Sequence, residues 1–335
     1  MEFDDDKIDL SELDDRRGQS GASGGGGAFG GGGLGGLGGG GGASGGGGGL
    51  DAGGLGSIVA GGLAGKSLGS MGGIGLIIIV ALLVLSQCQG SGQSSSQLQG
   101  SGTTQTVVSG DPKNMATRCV TKEAIVQYDD CYILKSHNEI NEVWTSYFAA
   151  KGQQYRKPKL VYFTKSVRTG CGMAQSNTGP FYCPPDQSVY IDLDYMNTLF
   201  KQIGASGRYA QTYVIAHEVG HHLQTLLGTE AKVRKLQQQN PRQENALSVK
   251  MELQADCYAG VYGVIANKQG NQKITQAEFE QALQAAAAVG DDKIMANAGM
   301  RVNPDKFTHG SAADRQKWFN IGFKSGDIAS CNTFA

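Results

Sequence analysis

The chain has 335 residues and a formal net charge of −1, a balance that gives nucleic acid no electrostatic reason to bind. Glycine accounts for 53 residues, most of them between Gly18 and Gly75, a stretch too poor in apolar side chains to repay its chain entropy on folding. What remains, from about Asp111 to Ala335, is long enough to bury one sizeable core.

In chain order, the acidic head EFDDDKIDLSELDD reads as a short solvated tail, and residues 1–66 as a disordered Gly-rich segment. Residues 67–88 carry no charge and include MGGIGLIIIVALLVL, long enough for one transmembrane helix. A signal peptide would place a short basic head directly before the apolar run and a small-residue cleavage site after it. Here a long segment precedes the run and SQC follows it, so the run reads as an anchor. LSQC invites a lipidated Cys88, but Gln87 is too large for the position before such a cysteine. Arg16, Arg17 and Lys66 precede the run, and residues 89–110 after it are uncharged. The expected orientation is therefore an N-terminus in the cytoplasm and a globular domain outside, periplasmic or extracellular. Residues 89–110, rich in Ser, Gln, Gly and Thr, form a linker to a domain at 111–335.

That domain holds six cysteines, an even count that reads as a disulfide set in an exported protein. Fifteen connectivities are open. Local pairing gives Cys119–Cys131 and Cys171–Cys183, leaving Cys257–Cys331; no CxxC pair favours a thiolate metal site instead.

Helical spacing of Ile140, Val143, Trp144 and Tyr147 predicts a helix over 136–151, with Ser136 as N-cap and Glu139 closing a capping box. LVYF at 160–163 and VYIDL at 189–193 are strand candidates. Helices are predicted over 209–227, stopped by Gly228, and from about Gln243 to Asn267. Thr275 with Glu278 opens another, and Ser311 caps a last one carrying Trp318 and Phe319. A few strands followed by helices make an α+β fold.

The chemistry concentrates in YVIAHEVGHHLQ, 213–224. His217 and His221, four apart, project from one helical face and can grip one Zn2+. Glu218 is placed to take a proton from a metal-activated water. The chain has only five histidines, and three fall between 217 and 222, which argues against chance. In MELQADCYAG, Glu252 is the candidate third ligand and Asp256, one turn on, the acceptor for a ligating histidine's free N–H. His222 points elsewhere and takes a structural hydrogen bond. His309 either donates to a tetrahedral oxyanion or packs at the start of the last helix. His137, at the predicted helix start, is expected in solvent. VYIDL is read either as an edge strand for an extended peptide or as a plain core strand.

HEVGHH, ELQAD, GPFYCPPDQSVYIDLDY and NPDKFTHGSAADRQKWFNIGFKSGD with its CNTF ending together resemble the bacterial neutral zinc metallopeptidase family. The resemblance covers about Glu142 to Ala335. It implies single-span bacterial membrane proteins with a zincin-like domain: a small sheet with an edge strand, an active-site helix and C-terminal helices. Glu252 and Asp256 are also similar to the third ligand and its helper in thermolysin-type zincins. Residues 119–135 fall outside this resemblance, and their role is open.

The reading is a membrane-anchored zinc peptidase of the cell membrane that acts on peptide or protein substrates with Glu218 as base. No cluster for gripping a chain terminus is evident, so endopeptidase action is expected. A zinc-stabilised envelope scaffold that cuts nothing is the alternative, and a surface or assembly role for the Gly-rich segment is a further one.

Overall fold

The computed structural model of the protein describes residues 2–18 and 114–335. The predicted membrane helix, the linker and most of the Gly-rich segment lie outside the described residues. Among those described, no helix is long and apolar enough to cross a membrane.

In chain order the elements are β1 (Glu2–Phe3), β2 (Leu13–Asp15), α1 (Met115–Arg118), α2 (Lys122–Gln127), α3 (Asp129–Ala149), β3 (Lys159–Tyr162), β4 (Ser166–Thr169), β5 (Gly172–Gln175), β6 (Phe181–Cys183) and β7 (Ser188–Ile191). Then come α4 (Leu193–Ile203), α5 (Arg208–Leu226), α6 (Thr229–Gln239), α7 (Glu244–Gln269), β8 (Gln272–Lys273), α8 (Gln276–Ala288), α9 (Asp291–Asn297) and α10 (Ala312–Ser325). The fold is α+β, as the sequence indicates.

The central sheet runs β2-β3-β7-β6, with β2, β3 and β7 parallel and β6 antiparallel to β7. Alternate residues of β3 and β7 face opposite sides. Leu160, Tyr162, Val189 and Ile191 join the main core with α3, α5 and α7. Val161 and Tyr190 pack instead with Val167 and Ala174 of the β4–β5 hairpin. VYIDL is thus a central strand, and β6 is the edge. Asp192, read as part of that strand, is the N-cap of α4 and accepts from the backbone of Asp194 and Tyr195.

The acidic head is not a solvated tail. Leu13–Asp15 pairs in register with Leu160–Tyr162, and Glu2–Phe3 pairs with β8. Glu12, nearly buried, accepts hydrogen bonds from Asn138, Asn141 and Lys157, and His137 Nδ1 lies 3.1 Å from its Oε2. Arg17 pairs with Asp15 and Asp130, and Lys135 with Asp5 and Glu139. This docking explains two further corrections. Helix α3 begins at Asp129 rather than Ser136, which is buried mid-helix against Thr212. His137, expected in solvent, is fully buried. The polar run from Asp130 to Asn141 looks like a helix start in the sequence because it faces the polar head.

The three disulfides are Cys119–Cys131, Cys171–Cys183 and Cys257–Cys331. The first ties α1 to α3, which gives residues 119–135 a place in the fold. The capping box at Thr275 and Glu278 and the Ser311 cap both form. Helix α10 packs along α7 where two glycines allow it: a Cβ on Gly260 or Gly322 would collide with the carbonyl of Phe319 or Cys257.

Candidate metal centre

Helix α5 crosses α7 so closely that a Cβ on Gly220 would sit 3.0 Å from the Ala255 carbonyl oxygen. The glycine inside HEVGHH therefore lets the two helices bring their polar faces together. His217 and His221 from α5 and Glu252 from α7, all buried, place one donor atom each within 4.8 Å of one another. His221 Nε2 lies 3.2 Å from His217 Nε2 and 3.4 Å from Glu252 Oε1, and His217 Nε2 lies 3.1 Å from Glu252 Oε2.

The outer nitrogens are held separately. His217 Nδ1 donates to Asp256 Oδ1 at 2.8 Å, and His221 Nδ1 donates to Gln224 Oε1 at 2.9 Å. With both Nδ1 atoms protonated, both Nε2 atoms present lone pairs to the same point. Two nitrogens bound to one zinc at tetrahedral angle are about 3.3 Å apart, close to the separation here. Glu252 Oε1 is buried and makes no hydrogen bond. The donor set, the spacing and the orphaned oxygen all fit a zinc ion.

The electrostatics agree. Burial alone would lower the His217 pKa, but Asp256 and Glu252 outweigh it and raise the pKa to about 10. Burial would raise the Glu252 carboxyl, yet the His221 charge and the His217 hydrogen bond hold it well below its ordinary value. The pocket thus favours positive charge between these groups, as a divalent cation requires. Glu218 faces the same cavity, and burial raises its carboxyl above the usual range.

The sequence missed the network behind Asp256. Tyr213 donates to Asp256 Oδ1 at 2.5 Å, and Arg315 grips both carboxylate oxygens, through Nε at 2.8 Å and a terminal nitrogen at 3.0 Å. Burial opposes ionisation of Asp256, but the charges of Arg315 and His217 prevail and lower its pKa. Tyr213 and Gln224 were findable, four residues before His217 and three after His221 on one helical face. Arg315 arrives from the distant α10 and leaves no local signal.

His309 lines the cavity. Its loop is fixed by Asp291, whose Oδ2 accepts the backbone N–H groups of Thr308, His309 and Gly310. Its Nδ1 lies 3.4 Å from Asp291 Oδ1. Burial would lower the His309 pKa, but Asp291 and Glu252 outweigh it and raise it. His222 is structural: its Nε2 donates to the Arg156 carbonyl at 2.6 Å, Tyr182 hydroxyl lies 3.0 Å from its Nδ1, and burial lowers its pKa to about 4.

A family model described as "Putative neutral zinc metallopeptidase" matches residues 38–334, most of the chain. Over 194 residues the chain is 52% identical to uncharacterized protein YpfJ of Escherichia coli (strain K12), which covers 58% of this chain and 67% of that one. Over 228 residues it is 40% identical to uncharacterized protein Rv2575 of Mycobacterium tuberculosis (strain ATCC 25618 / H37Rv), covering 65% and 75%. Uncharacterized protein Mb2605 of Mycobacterium bovis gives the same figures. No solved structure matches.

Proposed function

Because the chain belongs to the neutral zinc metallopeptidase family, we propose that it hydrolyses peptide bonds at the His217–His221–Glu252 centre, with Glu218 as general base. The observation that carries this reading is the converging donor set, with Glu252 Oε1 buried and free of hydrogen bonds. A small sheet with β6 at an edge, followed by the HExxH helix and C-terminal helices, supports a zincin-like architecture.

Zinc held by these three side chains supplies a Lewis acid and makes water nucleophilic near neutral pH. Glu218 takes the proton of the attacking water and returns it to the leaving amine, a role suited to a carboxyl raised by burial. His309, fixed by Asp291, donates to the carbonyl oxygen as it gains charge. Asp256, held by Tyr213 and Arg315, keeps His217 in one tautomer and orientation. Arg315 is committed to Asp256 and does not offer its charge to a substrate C-terminus. That pairing supports cleavage within chains rather than at a terminus.

The test is Glu218→Gln. Zinc content measured by atomic emission stays at wild-type level, while cleavage of an unstructured protein falls about 10²- to 10⁴-fold. Unchanged cleavage in the variant removes Glu218 from the mechanism. Zinc-loaded wild-type protein that cuts nothing supports the scaffold reading.

The apolar run at 67–88 supports association with a membrane, and the disulfides fit an oxidising compartment outside the cytoplasm. The pairing of β2 with β3 supports a head on the same side as the domain. In a Cys88→Ser background, single cysteines at the exposed Ser11 and Asn240 should both react with an impermeant maleimide from outside intact cells. Reaction of the Asn240 position alone shows that the head has left the sheet and crossed the membrane.

A further inference from the structure

The catalytic cluster forms only one wall of a cavity of about 510 Å³, a size in the range of ligand pockets. The apolar wall has no part in the chemistry. It is built by Leu199, Phe200 and Ile203 of α4, Val214 of α5, and Val289 and Ile294 from the C-terminal helices. Away from the catalytic wall the lining includes polar residues such as Thr178, Gln202 and Asn297, all neutral. A charged side chain entering this wall would lose water and meet no counter-charge, whereas a large apolar one would bury its surface fully.

The lining of the cavity includes part of a free strand edge. Among the described residues, β6 has β7 on one side and no strand on the other. Phe181, its first residue, lines the cavity and stacks on Tyr190 with ring centroids 4.9 Å apart. Pro180 and Thr178, just before it, line the cavity as well. A peptide extended along this edge gains main-chain hydrogen bonds independent of its sequence. Its side chains alternate in direction, so only one residue near the cleaved bond turns into the pocket.

We propose that the wall formed by α4, Val214, Val289 and Ile294 is the specificity pocket of the centre. It takes one large apolar side chain (Phe, Leu, Ile or Met) of a peptide paired along β6. This inference rests on the peptidase reading and adds the substrate class to it. The substrates are unfolded or extended segments, because a residue buried in its own core cannot reach the pocket and the strand edge together.

The experiment is a peptide-library digest by the zinc-loaded full chain, with the cleaved sequences read by mass spectrometry. One position beside the cut should be enriched in large apolar residues by about tenfold or more over Gly, Asp and Lys. Ile203→Arg, at the half-buried end of α4, should shift that position toward Asp and Glu without loss of zinc. Val214→Trp should narrow it toward Ala and Ser. Cleavage with no positional preference, or a profile unchanged by Ile203→Arg, overturns the pocket. If zinc-loaded wild-type protein cuts nothing, the peptidase reading fails, and binding then decides the pocket. Peptides differing only in Phe or Asp are titrated onto zinc-loaded Glu218→Gln protein: tighter binding of the Phe peptide supports it, and equal affinity overturns it.

Discussion

Two clusters of buried polar side chains, one around His217 and one around Glu12, are built from the same residue types. Both place carboxylates, amides and histidine at nearly zero exposure. Around Glu12, lone pairs and hydrogens balance: Oε1 accepts from Lys157, and Oε2 accepts from Asn138 and Asn141. Around His217 they do not. Two Nε2 atoms face each other across 3.2 Å, and Glu252 Oε1 accepts nothing. A buried polar cluster with every group matched is a fastening, and one with surplus lone pairs is a place for a cation. Charge and burial alone do not separate them.

The comparison breaks hardest at Glu12. Glu12→Ala leaves His137 and the amides of Asn138 and Asn141 buried without their acceptor. The expected loss is about 3–5 kcal/mol of stability, measured as a lower urea midpoint. The folded fraction should still bind zinc with wild-type affinity, since Glu12 touches none of the proposed ligands. Burial would raise the Glu12 pKa, but His137, Lys157 and Asn141 outweigh it and lower it to about 2. The unfolded chain then binds the proton more readily than the native one. The stabilisation is therefore complete above the ordinary value of 4.5 and is lost as pH falls from there toward 2. Glu12→Gln should flatten that acid limb. If Glu12→Ala unfolds no earlier than wild type, the head is not fastened to α3 as described.

The same contrast explains what could be read in the sequence. The centre was legible because helix geometry converts spacing into direction: His217 and His221 share a face by being four apart, and Glu252 and Asp256 repeat that spacing on α7. The capping boxes and the two close-spaced cysteine pairs are equally local. The head was illegible because its partners begin over a hundred residues away and its strand is only Leu13–Asp15. Without those partners, DDCYILKSHNEIN looks like a helix entering from solvent. The choice between edge and core for VYIDL stayed open in the sequence for a related reason. VYIDL is the more apolar strand, and the neighbour order that puts FYC outside it follows from topology rather than composition.

His309 sharpens the comparison, because it combines a matched fastening with a face on the cavity. Asp291 satisfies the backbone of its loop, which alone would make it structural. His309→Ala should lower kcat about 10²- to 10³-fold with KM and zinc content nearly unchanged, the signature of a donor that acts only in the transition state. A loss in zinc content of similar size would show instead that His309 only packs the loop against Glu252.

The smallest expected effect belongs to Gln224, which sits on the border between the two kinds of cluster. Its carbonyl oxygen accepts from His221 Nδ1, while its amide donates to the Met251 carbonyl at 2.7 Å and to Gln254 at 3.2 Å. It therefore orients a proposed ligand and also ties α5 to α7 one turn from Glu252. Gln224→Ala removes both, and the costs should separate. Loss of one buried hydrogen-bonded amide lowers stability by about 1 kcal/mol. Loss of the acceptor frees the His221 ring and weakens zinc about tenfold in competition with a chelator. Gln224→Glu keeps an acceptor for His221 but loses the amide donors, so it should restore zinc affinity more fully than stability. Equal recovery of both would mean that His221 is oriented by packing alone, and that the balance of hydrogens around it carries less weight than the geometry of the two helices.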